Sequence, residues 1–160
     1  MKQAALRSFA YNLRYAKRLL ADIADEEMCE QPRPGMNHPA WIIGHLCDTC
    51  DLMAEWLQVP RICPLGWHKL FNNQSEPQTE RGLHPSKATL LEVLEKGHEA
   101  IATAIDQAAA EVLDRPLPRE SMRSFFPTVR DGVVFEMTDH AAIHLGQLSA
   151  WRRAMGRPRA

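Results

Sequence analysis

Apolar residues recur every three or four positions through four separate stretches of the chain, which is the period of an amphipathic α-helix. These stretches cover residues 4–24, 38–57, 87–110 and 133–155, with charged residues on the opposite arcs. None of them shows the strict alternation that is typical of a half-buried β-strand. The pattern therefore predicts an all-α fold built from four helices.

The stretches are separated by segments that are rich in proline and glycine and have no period. Asn37 is the predicted cap of the second helix and Ser86 that of the third. Residues 59–85 and 114–131 form long connections, of which the first contains enough aromatic residues to pack back onto the helices. A chain of 160 residues with this organisation predicts a single domain over residues 1–160, a four-helix bundle with long connections between helices 2 and 3 and helices 3 and 4.

Composition narrows the functional classes. There are 19 Lys and Arg against 20 Asp and Glu, so the net charge is -1, which argues against a dedicated nucleic-acid or membrane binder. Four cysteines are too few for a disulfide scaffold at this length. The most apolar stretch, residues 40–47, is too short to span a bilayer, and basic residues interrupt the N-terminus. We expect a cytoplasmic protein with a small-molecule substrate and no membrane or nucleic-acid partner.

The most informative pair of residues is His140 and His144 on the fourth helix. Four positions correspond to about 40° around a helix, so both imidazoles share one face. Met137 and Trp151 lie on the same arc, which indicates that this face points inward. Two imidazoles placed in this way can bind one metal ion.

His45 on the second helix is the candidate third ligand. Its neighbours one turn away include Trp41 and Leu52, so it lies on a largely buried stripe. Three histidines from two helices would leave a coordination position open for water or substrate. The alternative is a set of separate core histidines that satisfy one another and the backbone by hydrogen bonds.

Other chemical groups give weaker signals. Cys47 and Cys50 have the C-x-x-C spacing but lie on the far side of their helix from His45, which favours a packing role. His98 is predicted at the surface or edge of the third helix, and His68 at the mouth of a pocket. No obvious general base accompanies the three histidines. The remaining cysteines and histidines have no partner at ligand spacing: Cys29, Cys63, His38 and His84.

Two sequence segments resemble the DinB-like superfamily, and the resemblance covers most of the chain. They are Trp-Ile-Ile-Gly-His-Leu at residues 41–46 and His-Ala-Ala-Ile-His-Leu-Gly-Gln at residues 140–147. In that family the corresponding histidines bind one divalent metal ion per chain, often zinc or nickel. The resemblance implies the same for His45, His140 and His144, together with an up-down-down-up bundle and a homodimer.

The family also suggests an activity. Its best-understood members are maleylpyruvate isomerases and S-transferases that use mycothiol or bacillithiol. The resemblance implies a metal-dependent transferase whose metal activates a low-molecular-weight thiol cosubstrate. Gln147 lies one turn beyond His144, a position from which it could orient a ligand or a metal-bound water; the alternative is a buried glutamine that bonds to the neighbouring backbone. Two alternatives remain open: a hydrolase that uses metal-bound hydroxide, and a non-catalytic, dimeric, metal-binding stress-response protein.

Overall fold

The computed structural model describes residues 2–160, and all regular elements in that range are helical apart from one isolated β-bridge between Pro116 and Thr128. The predicted all-α class and the four long helices are confirmed. The helices are α1 (Lys2–Leu20), α2 (Pro39–Leu57), α3 (Trp67–Phe71), α4 (Lys87–Gln107), α5 (Ala110–Leu113), α6 (Val129–Phe135) and α7 (Ala141–Ala154). A π-helical turn, Glu136–His140, joins α6 and α7 into one continuous helix.

Contacts at both ends of α1 show that α4 runs antiparallel to it. Lys87, at the start of α4, donates from Nζ to the carbonyl oxygen of Leu20 at the end of α1 (2.6 Å). At the opposite end, Lys2 donates to the carbonyl oxygen of Asp106 (2.7 Å). The start of α4 thus lies beside the end of α1, and the end of α4 lies beside the start of α1.

The continuous helix formed by α6 and α7 runs parallel to α1. Asn12 donates to the carbonyl oxygen of Met137 (3.0 Å), and further along both helices Arg152 donates to the carbonyl oxygen of Leu19 (2.7 Å). Arg152 and Arg157 also pair with Asp22, which ties the basic C-terminal residues to the end of α1.

Helix α2 lies beside α4 in the same direction. The thiol of Cys47 contacts the carbonyl oxygen of Leu90 (3.6 Å), and one turn later Cys50 packs against Gly97. A Cβ atom at Gly97 would lie 2.9 Å from the sulfur of Cys50, so glycine permits this close approach. Helices α1, α2, α4 and α6–α7 therefore form the up-down-down-up bundle that the resemblance implied. The burial of Cys47 and Cys50 agrees with their predicted packing role.

Three local predictions need correction. The cap of α2 is His38 and not Asn37, because the Nδ1 atom of His38 accepts from the backbone N–H of Trp41 (3.1 Å). The last helix begins at Val129, four residues before the predicted start, because Thr128 and Asp131 form a reciprocal capping box there. The first helix ends at Leu20 and not at residue 24.

His98 is buried and not at the surface or edge. Its ring stacks on that of Phe9 with a centroid distance of 3.7 Å. Helix α4 packs against both α1 and α2, so its buried arc is wider than the single stripe that periodicity suggests.

The connection between α2 and α4 packs onto the bundle, as its aromatic content predicted. Trp67 and Phe71 of α3 are buried, and a Cβ atom at Gly44 would lie 2.4 Å from the ring of Phe71. Glycine at this position thus lets α3 lie directly against α2. Within residues 2–160, we find no helix with the length and apolar character needed to cross a membrane.

Candidate metal centre

His45 is held in place by the contact between α2 and α3. Its Nδ1 atom donates to the carbonyl oxygen of Phe71 (2.6 Å), at the end of α3. The indole of Trp41, one turn earlier, stacks on the imidazole with a centroid distance of 4.8 Å and an angle of 8°. The ring of His45 is therefore fixed in both orientation and tautomer, with Nε2 left as an acceptor.

His140 belongs to the π-helical turn and His144 to the first turn of α7. A π turn contains an extra residue, so some backbone carbonyls lose their usual partners. The buried amide of Asn12 in α1 donates to one of them, that of Met137, at 3.0 Å. The wider turn and this amide together set where His140 stands relative to His144.

The structure brings the three predicted histidines together through their Nε2 atoms. The Nε2 atom of His140 lies 3.3 Å from that of His45 and 3.1 Å from that of His144. Each residue offers one ligand atom, and these atoms all lie within 4.8 Å of one another.

Acceptors from the protein occupy the opposite side of each ring. The Nδ1 atom of His45 meets the carbonyl of Phe71, as above, and that of His140 lies 2.9 Å from the Oε2 atom of Glu136. The Nδ1 atom of His144 lies 3.2 Å from the amide oxygen of Gln147. The protons of His45 and His144 therefore belong on Nδ1, and with the proton of His140 on the side of Glu136 three Nε2 lone pairs face one another.

This arrangement fits a divalent metal ion. Three lone pairs at such distances repel one another unless a cation lies between them. Three imidazole donors suit zinc or nickel, and outer acceptors on Nδ1 are what metal-bound histidines ordinarily have. The hydrogen-bonded core histidines considered as the alternative would instead carry a proton on the Nε2 atom of His140, which lies within hydrogen-bond distance of both neighbours.

Burial keeps the imidazoles of His45 and His144 in the ligand form. Burial is the main cause that lowers the pKa of His144 from 6.5 to about 3, with smaller contributions from His45 and His140. It also lowers the pKa of His45. Both rings are thus neutral at physiological pH, as a metal ligand must be.

Gln147, predicted to orient a ligand, contacts His144 directly. Its amide oxygen accepts from Nδ1 of that ring and from the side-chain amide of Asn37 (3.0 Å). Asn37, the mispredicted cap, therefore helps to hold the side chain of Gln147. This chain of contacts links the start of α2 to the histidine pair on the last helix.

A buried carboxylate beside the histidines was not anticipated from the sequence. Glu136 is 4% exposed and lies in the π turn, next to His140. Its position four residues before His140 places it about 40° around a helix, on the inward arc, and this spacing could have revealed it. The structure therefore places a buried carboxylate beside the histidines, where the sequence showed no obvious general base.

A cleft of about 950 Å³ opens onto the three-histidine cluster between α2, α3 and the connection that follows α5. Both His45 and His140 line it, so an ion held between them would face solvent-accessible space. His68 lies in the same cleft, as predicted, and its Nδ1 atom contacts Asp48 at 2.9 Å. Charged side chains on the cleft wall include Asp48, Glu55, Arg61, Arg119 and Glu136.

The structure also brings together Cys29, His38 and His84, which no spacing in the sequence associates. Here the ring nitrogens of His38 are already used, because Nδ1 caps α2 and Nε2 donates to the carbonyl oxygen of Gln78 (2.8 Å). His84 donates to the same oxygen from Nε2 (2.7 Å). This cluster therefore anchors the connection before α4, and His38 is not free to bind a metal.

Comparison with known proteins agrees with this architecture. A sequence model of the DinB superfamily matches residues 9–148. The crystal structure of a conserved protein from Enterococcus faecalis superimposes with a TM-score of 0.79 over 98% of each chain, at 17% identity. At this identity the similarity concerns the fold alone. The comparison with curated proteins gives no match.

Proposed function

We propose that this chain, which belongs to the DinB superfamily, is a metal-dependent transferase that activates a low-molecular-weight thiol. In this proposal His45, His140 and His144 hold one zinc or nickel ion. The single observation that carries the metal assignment is the convergence of the three Nε2 atoms while every Nδ1 faces an acceptor of the protein.

When held by these nitrogens, a divalent ion would lower the pKa of a thiol or a water molecule that contacts it. The residues of the chain orient the three rings and determine the direction from which a ligand approaches. The carbonyl of Phe71, the carboxylate of Glu136 and the amide of Gln147 hold the three rings in one orientation. Trp41 covers one face of His45, which leaves the cleft as the direction of approach.

The cleft favours a reaction between two molecules. Its volume of about 950 Å³ lies near the upper end of the range for small-molecule sites, so it has room for a thiol and an electrophile together. Arg61 and Arg119 lie on the same wall as Glu55. A wall with both signs of charge suits a thiol that carries both amino and carboxylate groups, such as glutathione or bacillithiol.

The proposal is tested by thiol binding to cobalt-substituted protein. We expect glutathione, coenzyme A, bacillithiol or mycothiol to produce a sulfur-to-cobalt charge-transfer band in the parent, and none in His140→Ala. Conjugation of the bound thiol to 1-chloro-2,4-dinitrobenzene then reports transfer. A cobalt-loaded protein whose spectrum no thiol perturbs would exclude the transferase and leave the hydrolase and the non-catalytic metal-binding protein.

Glu136 supports a second candidate, a hydrolase. Its carboxylate is buried, lines the cleft and lies beside His140, where it could receive a proton from an attacking water. Hydrolysis of p-nitrophenyl acetate by the zinc-loaded protein, with loss in Glu136→Gln at unchanged metal content, would favour this candidate over thiol transfer.

A further inference from the structure

His68 and Asp48 form an imidazole–carboxylate pair inside the cleft, apart from the three converging histidines. The Nδ1 atom of His68 lies 2.9 Å from Oδ1 of Asp48. The two side chains differ in exposure: that of His68 is 65% exposed, while that of Asp48 is 11% exposed. The buried member thus orients the exposed one and leaves Nε2 of His68 facing the cleft.

Two parallel contacts between α2 and α3 place this pair next to His45. In α2, Asp48 follows His45 by three positions, and in α3, His68 precedes Phe71 by three positions. His45 bonds to Phe71 and Asp48 bonds to His68, so the second contact lies one helical turn from the first. Side chains three positions apart on a helix have Cβ atoms about 5–6 Å apart.

Packing of α3 against α2 fixes the position of α3, and therefore that of the pair formed by His68 and Asp48. Trp67 and Phe71 are buried on either side of His68, and Phe71 fits against Gly44 of α2. The neighbouring acid, Asp51, does not compete for His68, because it accepts from Arg61 and from the backbone N–H of Ile62. Asp48 is therefore the carboxylate that faces the imidazole.

We infer that His68 is the proton acceptor of the site, with Asp48 as the residue that positions it. This inference rests on the proposed thiol chemistry. The S–H bond of the entering thiol breaks, its proton moves to Nε2 of His68, and the electron pair stays on sulfur. When sulfur bonds to the electrophilic carbon, the leaving group departs with its electron pair and takes the proton from His68.

The inference is tested by counting protons when a thiol binds. Zinc-loaded protein is titrated with 2-mercaptoethanol near pH 7 by calorimetry in buffers of different ionisation enthalpy. The free thiol is protonated at this pH, so binding as thiolate frees one proton. The parent should release measurably less than one proton per thiol, because His68 takes up a share of it, whereas His68→Gln should release about one proton per thiol to the buffer.

Two variants serve as controls. Asp48→Asn should release more protons than the parent, because the ring of His68 loses the carboxylate that orients it. Lys69→Gln, at the next and exposed position of α3, should behave as the parent. All variants should keep the metal content of the parent.

The possible outcomes distinguish a failure of the role of His68 from a failure of the proposed thiol chemistry. Thiol binding with equal proton release in the parent and His68→Gln would overturn the role of His68 while the thiol site stands. Absence of thiol binding to the parent, seen also as an unchanged cobalt spectrum, would overturn the proposed function and the role of His68 with it.

Discussion

The Nδ1 atom of His140 lies 2.9 Å from the Oε2 atom of Glu136, one turn earlier in the same helix. The two atoms are in ion-pair contact, but within the part of the chain that the structure describes neither of them forms a hydrogen bond of good geometry. Glu136 is 4% exposed, and a buried carboxylate without a partner is costly. The two residues are therefore arranged for each other, and the carboxylate makes Nε2 of His140 a stronger donor toward a metal.

Removing this carboxylate should weaken metal binding. We expect Glu136→Ala to lower zinc affinity about 10–100-fold, the usual effect of losing a group that orients a metal-bound histidine. Glu136→Gln should lose less, because its amide oxygen still accepts from Nδ1. Competition with a chromogenic chelator measures both. Glu55→Gln removes an exposed carboxylate from the same cleft and should leave zinc affinity unchanged. An equal loss of zinc affinity in Glu55→Gln would show that the negative charge of the cleft, and not the contact between Glu136 and His140, strengthens metal binding.

Gly44 allows α3 to reach His45, so enlarging it should disturb both stability and the site. In Gly44→Ala, the new Cβ atom meets the ring of Phe71 at 2.4 Å, and we expect a loss of about 1–3 kcal/mol in the free energy of unfolding. Zinc affinity should fall too, because the carbonyl of Phe71 moves. Urea denaturation and chelator competition measure the two effects.

The control for this substitution is Gly146→Ala in α7. A Cβ atom at Gly146 has no neighbour within 4 Å, so alanine should be neutral or stabilise the helix by up to about 1 kcal/mol. A Gly44→Ala protein as stable as the parent would show that α3 can shift without cost.

Asn12 supports the π turn from the neighbouring helix. In Asn12→Leu, the carbonyl of Met137 loses its donor, and we expect about 1–3 kcal/mol lower stability together with weaker zinc binding. Gln3→Leu, an exposed amide on the same helix, is the matched control and should change neither quantity. Unaltered zinc affinity in Asn12→Leu would mean that the π turn holds its shape alone.

Periodicity and spacing were sufficient to predict the four helices and to group the three histidines. The hydrophobic stripe of α2 and that of the last helix each point toward the core, so His45 and the pair of His140 and His144 face the same interior. The direction in which a side chain points around a helix follows from its position among consecutive residues, so it can be predicted from sequence.

The contacts of the site that depend on irregular backbone could not be predicted in this way. The Nδ1 proton of His45 is accepted by Phe71, 26 positions away, in a helix of five residues inside a connection that has no period. The π turn breaks the 3.6-residue repeat on which a helical wheel relies. The cluster of His38 and His84 likewise forms only when the long connection folds back onto α2.

His98 should make the protein sensitive to acid. Burial against Phe9 lowers the pKa of His98 from 6.5 to about 4, so the folded state keeps it neutral while the unfolded chain binds a proton. Stability should therefore fall as pH decreases from about 6.5 to about 4, by as much as about 3 kcal/mol. Urea denaturation at several pH values measures this slope.

Substitution isolates this contribution from that of the other buried histidines. His98→Gln should flatten the slope between these pH values, whereas Phe9→Leu, which removes the stacking but keeps the imidazole, should retain most of it. An identical slope in His98→Gln and the parent would assign the acid sensitivity to other groups.

The most direct test of the three-histidine metal centre is elemental analysis of the purified, untagged protein beside the double variant His140→Ala, His144→Ala. We predict about one zinc or nickel ion per chain in the parent, as a single three-histidine site requires, and none in the variant. His98→Gln, which removes a buried histidine elsewhere, should keep the metal. A parent that holds no metal and takes up neither zinc nor nickel on titration, or a double variant that keeps its ion, would contradict the account.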